Sequence, residues 1–208
     1  MEWLILLLLV PAILVPIVLL CSFAGCDIVL GLTPPTFETA FEVSPTAVPT
    51  DQTVAPANYC FVQRISAGEL LADGGSVRIT VRGSPAGNVT INSIYISRAA
   101  GSGNLWDSAT DIKPVMTSPL TLPDDQPKIL DAIDYGLDQT QDLIIAFDFT
   151  ATSSAGNIRF VPVPGVTLYF KAGVQQASVP NETQSTRDSD YFTQPDPRLY
   201  LVVKIEAL

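Results

Sequence analysis

The chain contains no histidine, and it has no lysine or arginine before Arg64. A Ser-His-Asp triad needs an imidazole that titrates near neutral pH, so that chemistry is excluded. The three cysteines, Cys21, Cys26 and Cys60, form no CxxC pair, which leaves a zinc or redox site without support. Cys60 stands alone in its half of the chain and reads as a small buried residue. Bases are scarce throughout, with 11 Lys and Arg against 21 Asp and Glu and a net charge of -10. Five acids (Glu2, Asp27, Glu38, Glu42 and Asp51) and no base fall in residues 1 to 57. Without a basic stripe there is no electrostatic footprint for nucleic acid and no attraction to anionic headgroups. The acidity reads as solubility, and no cofactor is expected.

What is present begins with residues 3 to 26, WLILLLLVPAILVPIVLLCSFAGC, a run without a single charge. About 20 apolar residues suffice for a helix to cross a bilayer's hydrocarbon core. The reading adopted is an uncleaved anchor helix over residues 1–32, attached to the membrane through residues 3–26. Pro11 and Pro16 predict a kink that membrane helices tolerate, and Trp3 suits an interfacial position. Two alternatives stay open. A cleaved signal peptide would need a positive n-region and a shorter apolar core. A lipoprotein signal would make Cys26 the acylated residue, on the lipobox-like stretch Phe23-Ala24-Gly25-Cys26.

Residues 33–57 are rich in Pro and Thr, lack helix or strand period, and read as an extended stalk. Phe37, Phe41 and Val43 are the residues there that could instead pack on a domain. From residue 58 to 208 strand signals accumulate. Residues 59–65 read as a strand. In residues 76–82, SVRITVR, Val77, Ile79 and Val81 face one way and Arg78, Thr80 and Arg82 the other. Residues 88–97 alternate with a phase slip that predicts a bulge. Residues 111–116, 127–133, 142–150, 157–161, 166–171 and 198–206 complete the set, separated by Gly, Pro, Asn and Asp. No amphipathic helix is legible beyond the anchor. The expectation is an all-β chain of eight or nine strands, folded as one antiparallel jelly-roll-like β-sandwich over residues 58–208.

The stretches SVRITVRGSPAGNVTINSIYIS, TSPLTLPDDQPKILDAIDYGLDQTQDLIIAFDF, VTLYFKAG and RLYLVVKIEAL cover most of residues 64 to 208. Together they resemble the small β-sandwich domain that precedes the catalytic module in many bacterial SGNH (GDSL-type) esterases. They are similar also to stand-alone modules of phage and bacterial surface proteins. The resemblance implies a sandwich fold and an accessory or display role, and it implies no chemistry, because the esterase module and its GDS motif are missing.

Other candidate sites are few. Asp73-Gly74-Gly75-Ser76 reads as a tight turn rather than a nucleophile, since no base exists to activate Ser76. The carboxylate pairs Asp124 with Asp125, Asp131 with Asp134, and Asp188 with Asp190 lie among turn formers and read as solvated turn residues. Calcium takes several oxygen ligands, and Asp107, Asp111, Asp188, Asp190 and Asp196 are loop acids that could converge, although no EF-hand spacing is present. Sugars stack on aromatic faces. Trp106, in the loop AAGSGNLWDSATD, is the leading candidate for a ligand contact, with Asp107 next to it in sequence and Tyr135, Tyr191 and Phe192 in other loops. The competing reading is that Trp106 plugs one end of the sandwich. Asn88 and Asn181 begin N-x-[ST] sequons.

These features predict a non-catalytic, membrane-anchored surface protein. Its C-terminal domain would lie outside the cytoplasm, on a bacterial cell envelope or a virion, and would present an interaction module to a glycan or protein partner. The alternative is a structural, homo-oligomeric subunit of a phage particle or surface filament, with bundled N-terminal helices.

Overall fold

A computed structural model describes residues 35–44, 50–52, 59–83, 88–101, 108–123, 125–149, 158–172, 177–178, 192–193 and 197–208. The chain divides into Met1–Pro35 and Thr36–Leu208. The expected anchor helix and its Cys26 lie outside the described residues. Among the described residues there is no α-helix, and no helix is long and apolar enough to cross a membrane.

The described residues of Thr36–Leu208 are all-β and antiparallel. One sheet runs in the order β1 (Glu38–Glu42), β16 (Val202–Ala207), β4 (Gly74–Arg82), β10 (Ile133–Leu137), with β9 (Pro127–Ile129) also paired to β4. The second runs β14 (Phe192–Thr193), β13 (Val166–Ala172), β3 (Tyr59–Ile65), β11 (Leu143–Phe149), β6 (Ser93–Arg98), β7 (Lys113–Met116). Two smaller sheets join β15 (Arg198–Tyr200), β12 (Ile158–Pro162) and β2 (Thr50–Gln52), and β5 (Val89–Ile91) with β8 (Leu120–Leu122). The inward faces of the two large sheets share one apolar cluster, in which Val77, Ile79, Val81 and Ile205 meet Ile94, Ile96, Ile145, Phe147 and Leu168. Period-2 alternation puts these residues on one face of each strand.

A buried glutamine ties the core to the third sheet. Gln63 Nε2 donates to the Tyr200 carbonyl at 3.1 Å, and the Tyr200 N–H donates back to Gln63 Oε1 at 2.5 Å. The pairing satisfies both ends of an amide that would otherwise be stranded away from water. Phe61 packs edge-on against both Phe149 and Tyr200, with ring centroids 5.2 Å apart in each case.

Three expectations are corrected. The stretch at 33–57 is not a stalk throughout: Glu38–Glu42 forms the edge strand β1 on β16, and Phe41 is buried in the core. This strand belongs to the unit Thr36–Leu208. Short strands outnumber the eight or nine expected, because single runs are divided between sheets. Residues 198–206 split at Leu201, whose φ of 61° turns the chain from β15 into β16. The phase slip in 88–97 is likewise a change of sheet at Asn92, from β5 to β6, with the Asn92 N–H donated to the Asp148 carbonyl at 2.7 Å.

Candidate functional site

Two places on the β unit combine polar side chains with a built geometry. The first lies where β6 ends. Arg98 Nε donates to Asp111 Oδ2 at 2.8 Å, and Tyr135 OH donates to the same oxygen at 3.1 Å. The Arg98 backbone N–H reaches Asp111 Oδ1 at 3.3 Å. Gln141, bound through its amide to Asp138, faces the other side of the Arg98 guanidinium. Tyr135 is 2 % exposed. Burial, and after it the Asp111 carboxylate, push its phenol well above the usual range, so it remains a donor. The same carboxylate raises Arg98. Hydrogen bonds from the Thr140 hydroxyl and N–H hold Asp138 below the usual carboxylate range. Locally this is a clamp. Ala99 bridges to Ser108, and the Ala109 N–H donates to the Arg98 carbonyl at 2.8 Å. Both stems of the 102–107 segment are thereby pinned beside the network.

The second place is a groove along β1. Phe41, Glu42, Ser44, Gly68, Glu69, Leu71, Pro162, Val163 and Pro164 line a cavity of about 270 Å³. Its walls are locked together by the backbone. The Leu71 N–H donates to the Ala40 carbonyl and the Ser66 N–H to the Gly165 carbonyl, both at 2.8 Å. Asp142 fixes the 3-10 turn Ala67–Glu69 from below, accepting the Ala67 N–H at 2.8 Å and Arg64 Nε at 2.7 Å. Gly165 has a φ of 74°, and a Cβ there would stand 2.6 Å from Glu69 Cγ. The missing side chain is what lets the Glu69 stem cross this turn. Leu71 is 66 % exposed at the lip, over the buried Phe41 and Val163.

The predicted residues separate accordingly. Trp106, Asp107, Asp188, Asp190, Tyr191 and Asp196 lie outside the described residues. Tyr135 is corrected from loop to strand: it sits in β10 with its ring buried, its hydroxyl turned to Asp111. The structure thus joins Tyr135 and Asp111, which the sequence assigned to different roles, a ligand contact and a calcium ligand. Among the described residues no three Cys, Asp or Glu side chains come together as a metal site. Two of the acids read as turn residues have protein partners: Asp125 pairs with Arg82 and Arg159, and Asp134, in β10, lies 3.7 Å from Lys113. Sequence reasoning missed Arg98, Glu42 and Glu69. Glu42 falls within the expected stalk, and Glu69 acquires its neighbours only through β1 and the turn at Gly165.

No protein-family model matches this chain, and no curated protein matches it.

Proposed function

We propose that the chain is a membrane-anchored, non-catalytic surface protein that presents a jelly-roll-like β-sandwich as an interaction module for a glycan or protein partner. Its domain would stand on the outer side of a bacterial envelope or on a virion. The observation that carries this reading is the clamp of Arg98, Asp111 and Tyr135 at the pinned stems of the segment that holds Trp106. Binding loops held by a rigid scaffold are a common way for a sandwich to carry function. The resemblance to accessory domains of SGNH-type esterases points the same way, as does the uncharged run at residues 3 to 26.

A structural subunit with bundled N-terminal helices is the second reading. It is favoured by the edge strand β1, which leaves only residues 27 to 37 between the apolar run and the first sheet. A short tether suits a packed assembly better than free display.

The test is Trp106→Ala in the detergent-solubilised full chain, read by binding to a glycan panel and by thermal melting. Loss of one aromatic stacking contact weakens binding about 2- to 10-fold, with an unchanged melting temperature as the expected companion. A fall in melting temperature would make Trp106 a core plug and sink the loop reading. Discrete multimers that disappear when residues 3 to 26 are deleted would favour the structural subunit.

A further inference from the structure

The groove along β1 carries an inference of its own, one that rests on the reading of the chain as an interaction module. In the antiparallel pair of β1 and β16, the Val43 N–H donates to the Val203 carbonyl at 3.0 Å. Hydrogen-bonded and non-hydrogen-bonded pairs alternate along such a ladder. Glu42 stands opposite Lys204, one residue from the Val43 bond. Its N–H and C=O therefore point away from β16, toward the side of β1 on which no described strand lies. One turn earlier that side is closed, because the Ala40 carbonyl is taken by the Leu71 N–H. Half of the edge is capped by a loop, as edges commonly are, and among the described residues the other half faces the groove.

The lining says what would fit there. Phe41 and Val163 form an apolar floor, and Leu71 an apolar lip. Glu42 and Glu69 bring two carboxylates, and no lining residue brings a base. Pro162 and Pro164 have no N–H to offer and cannot supply the missing strand themselves. A volume of about 270 Å³ falls just under the roughly 300 to 1,000 Å³ of small-molecule sites, which suits one or two side chains of a longer segment.

We propose that the open half of β1 takes an extended peptide as an added strand, with an apolar side chain on the Phe41 and Val163 floor and a Lys or Arg between Glu42 and Glu69. Strand addition draws affinity from main-chain hydrogen bonds and specificity from pockets for alternate side chains.

The probe is a fluorescein-labelled, amidated peptide Val-Arg-Val-Arg-Val, titrated by anisotropy into the detergent-solubilised full chain, with Val-Glu-Val-Glu-Val as its counterpart. Saturable binding of the basic peptide alone, weakening as salt rises, is expected. Glu42→Pro removes the outward N–H and a carboxylate while leaving the β16 ladder intact, and should weaken binding about 3- to 10-fold. Glu69→Gln leaves the backbone alone and should weaken it about 2- to 5-fold. Equal binding of the two peptides, no binding, or no change in either variant overturns the proposal. So does self-association that the peptide competes away, since the occupant is then a second copy of the chain. Peptide binding that survives in Trp106→Ala alongside lost glycan binding separates the groove from the loop. Glycan binding without peptide binding removes the groove and leaves the interaction module standing.

Discussion

On β4 the residues that face away from the core are Arg78, Thr80 and Arg82; on the central strand β11 they are Ile144, Ala146 and Asp148. In the first set Arg78 and Arg82 are half-exposed, with Thr80 buried between them. Arg78 Nε donates to Glu206 Oε2 at 2.6 Å, Lys204 lies 3.1 Å from Glu206, and the Arg78 guanidinium rests 4.3 Å above the Phe37 ring. The second set is buried. Ile144 and Ala146 join Cys60, Val62 and Tyr169 in a second apolar cluster, with Ala177 packed against it. Asp148 lies within that layer, accepting the Ala177 N–H at 3.2 Å and the Ser93 hydroxyl at 3.1 Å. One sheet is covered on one face and the other on both. Alternating strands go with the first situation and continuous apolar runs with the second, which is why SVRITVR and LIIAFDF read so differently.

The largest expected effect tests whether the second layer is a true core. Ile144→Ala should destabilise the domain by about 2–5 kcal/mol, measured by denaturant unfolding, whereas Arg78→Ala on the other sheet should change little. A loss at Ile144 as small as that at Arg78 would mean that the two outer faces are alike. Next in size is Asp148→Asn. An amide nitrogen cannot accept the bonds that one carboxylate oxygen accepts, and an unsatisfied buried group costs about 1–3 kcal/mol. Hydrogen exchange at the Ala177 amide should accelerate in the same variant; unchanged protection there would remove Asp148 as the anchor of Ala177.

The smallest effect lies on the outer face of the first sheet and depends on pH. The hydrogen bond from Arg78, opposed by burial and aided by Lys204, holds the Glu206 carboxyl below its usual value of 4.5. The folded value is the depressed one, so the stability that Glu206 adds is complete above the unfolded value and disappears as pH falls through the folded value. Between about pH 6 and about pH 3 the melting temperature of Glu206→Gln should therefore fall less than that of the parent chain. Parallel curves would show that this ion pair leaves stability unchanged.

Much of the strand pattern was legible, and the exceptions share a cause. The run 59–65 became β3 residue for residue, and the alternation of β4 assigned its inward side chains without error. Local period reports which residues lie on one face of a strand; it carries nothing about which sheet the strand joins. The turn of Leu201 and the change of sheet at Asn92 therefore passed as features inside single strands. Residues 38–42 were hidden by the prolines and threonines around them, since β1 gains its place only by pairing with β16 at the far end of the chain. The candidate sites suffered from the same distance. Tyr135 reaches Asp111 across 24 positions, and Glu42 shares a groove with Glu69 and Pro162.

Composition and period by themselves determined an antiparallel all-β unit, the want of an imidazole for triad chemistry, and the inward side chains of the regular strands. All three follow from residue type and from a two-residue repeat. The tertiary structure decided that an expected stalk contributes an edge strand, that one sheet has two buried faces, and that a clamp and a groove exist. Those depend on contacts between residues far apart in sequence, where the free energy of pairing and burial is set by partners that no local window contains.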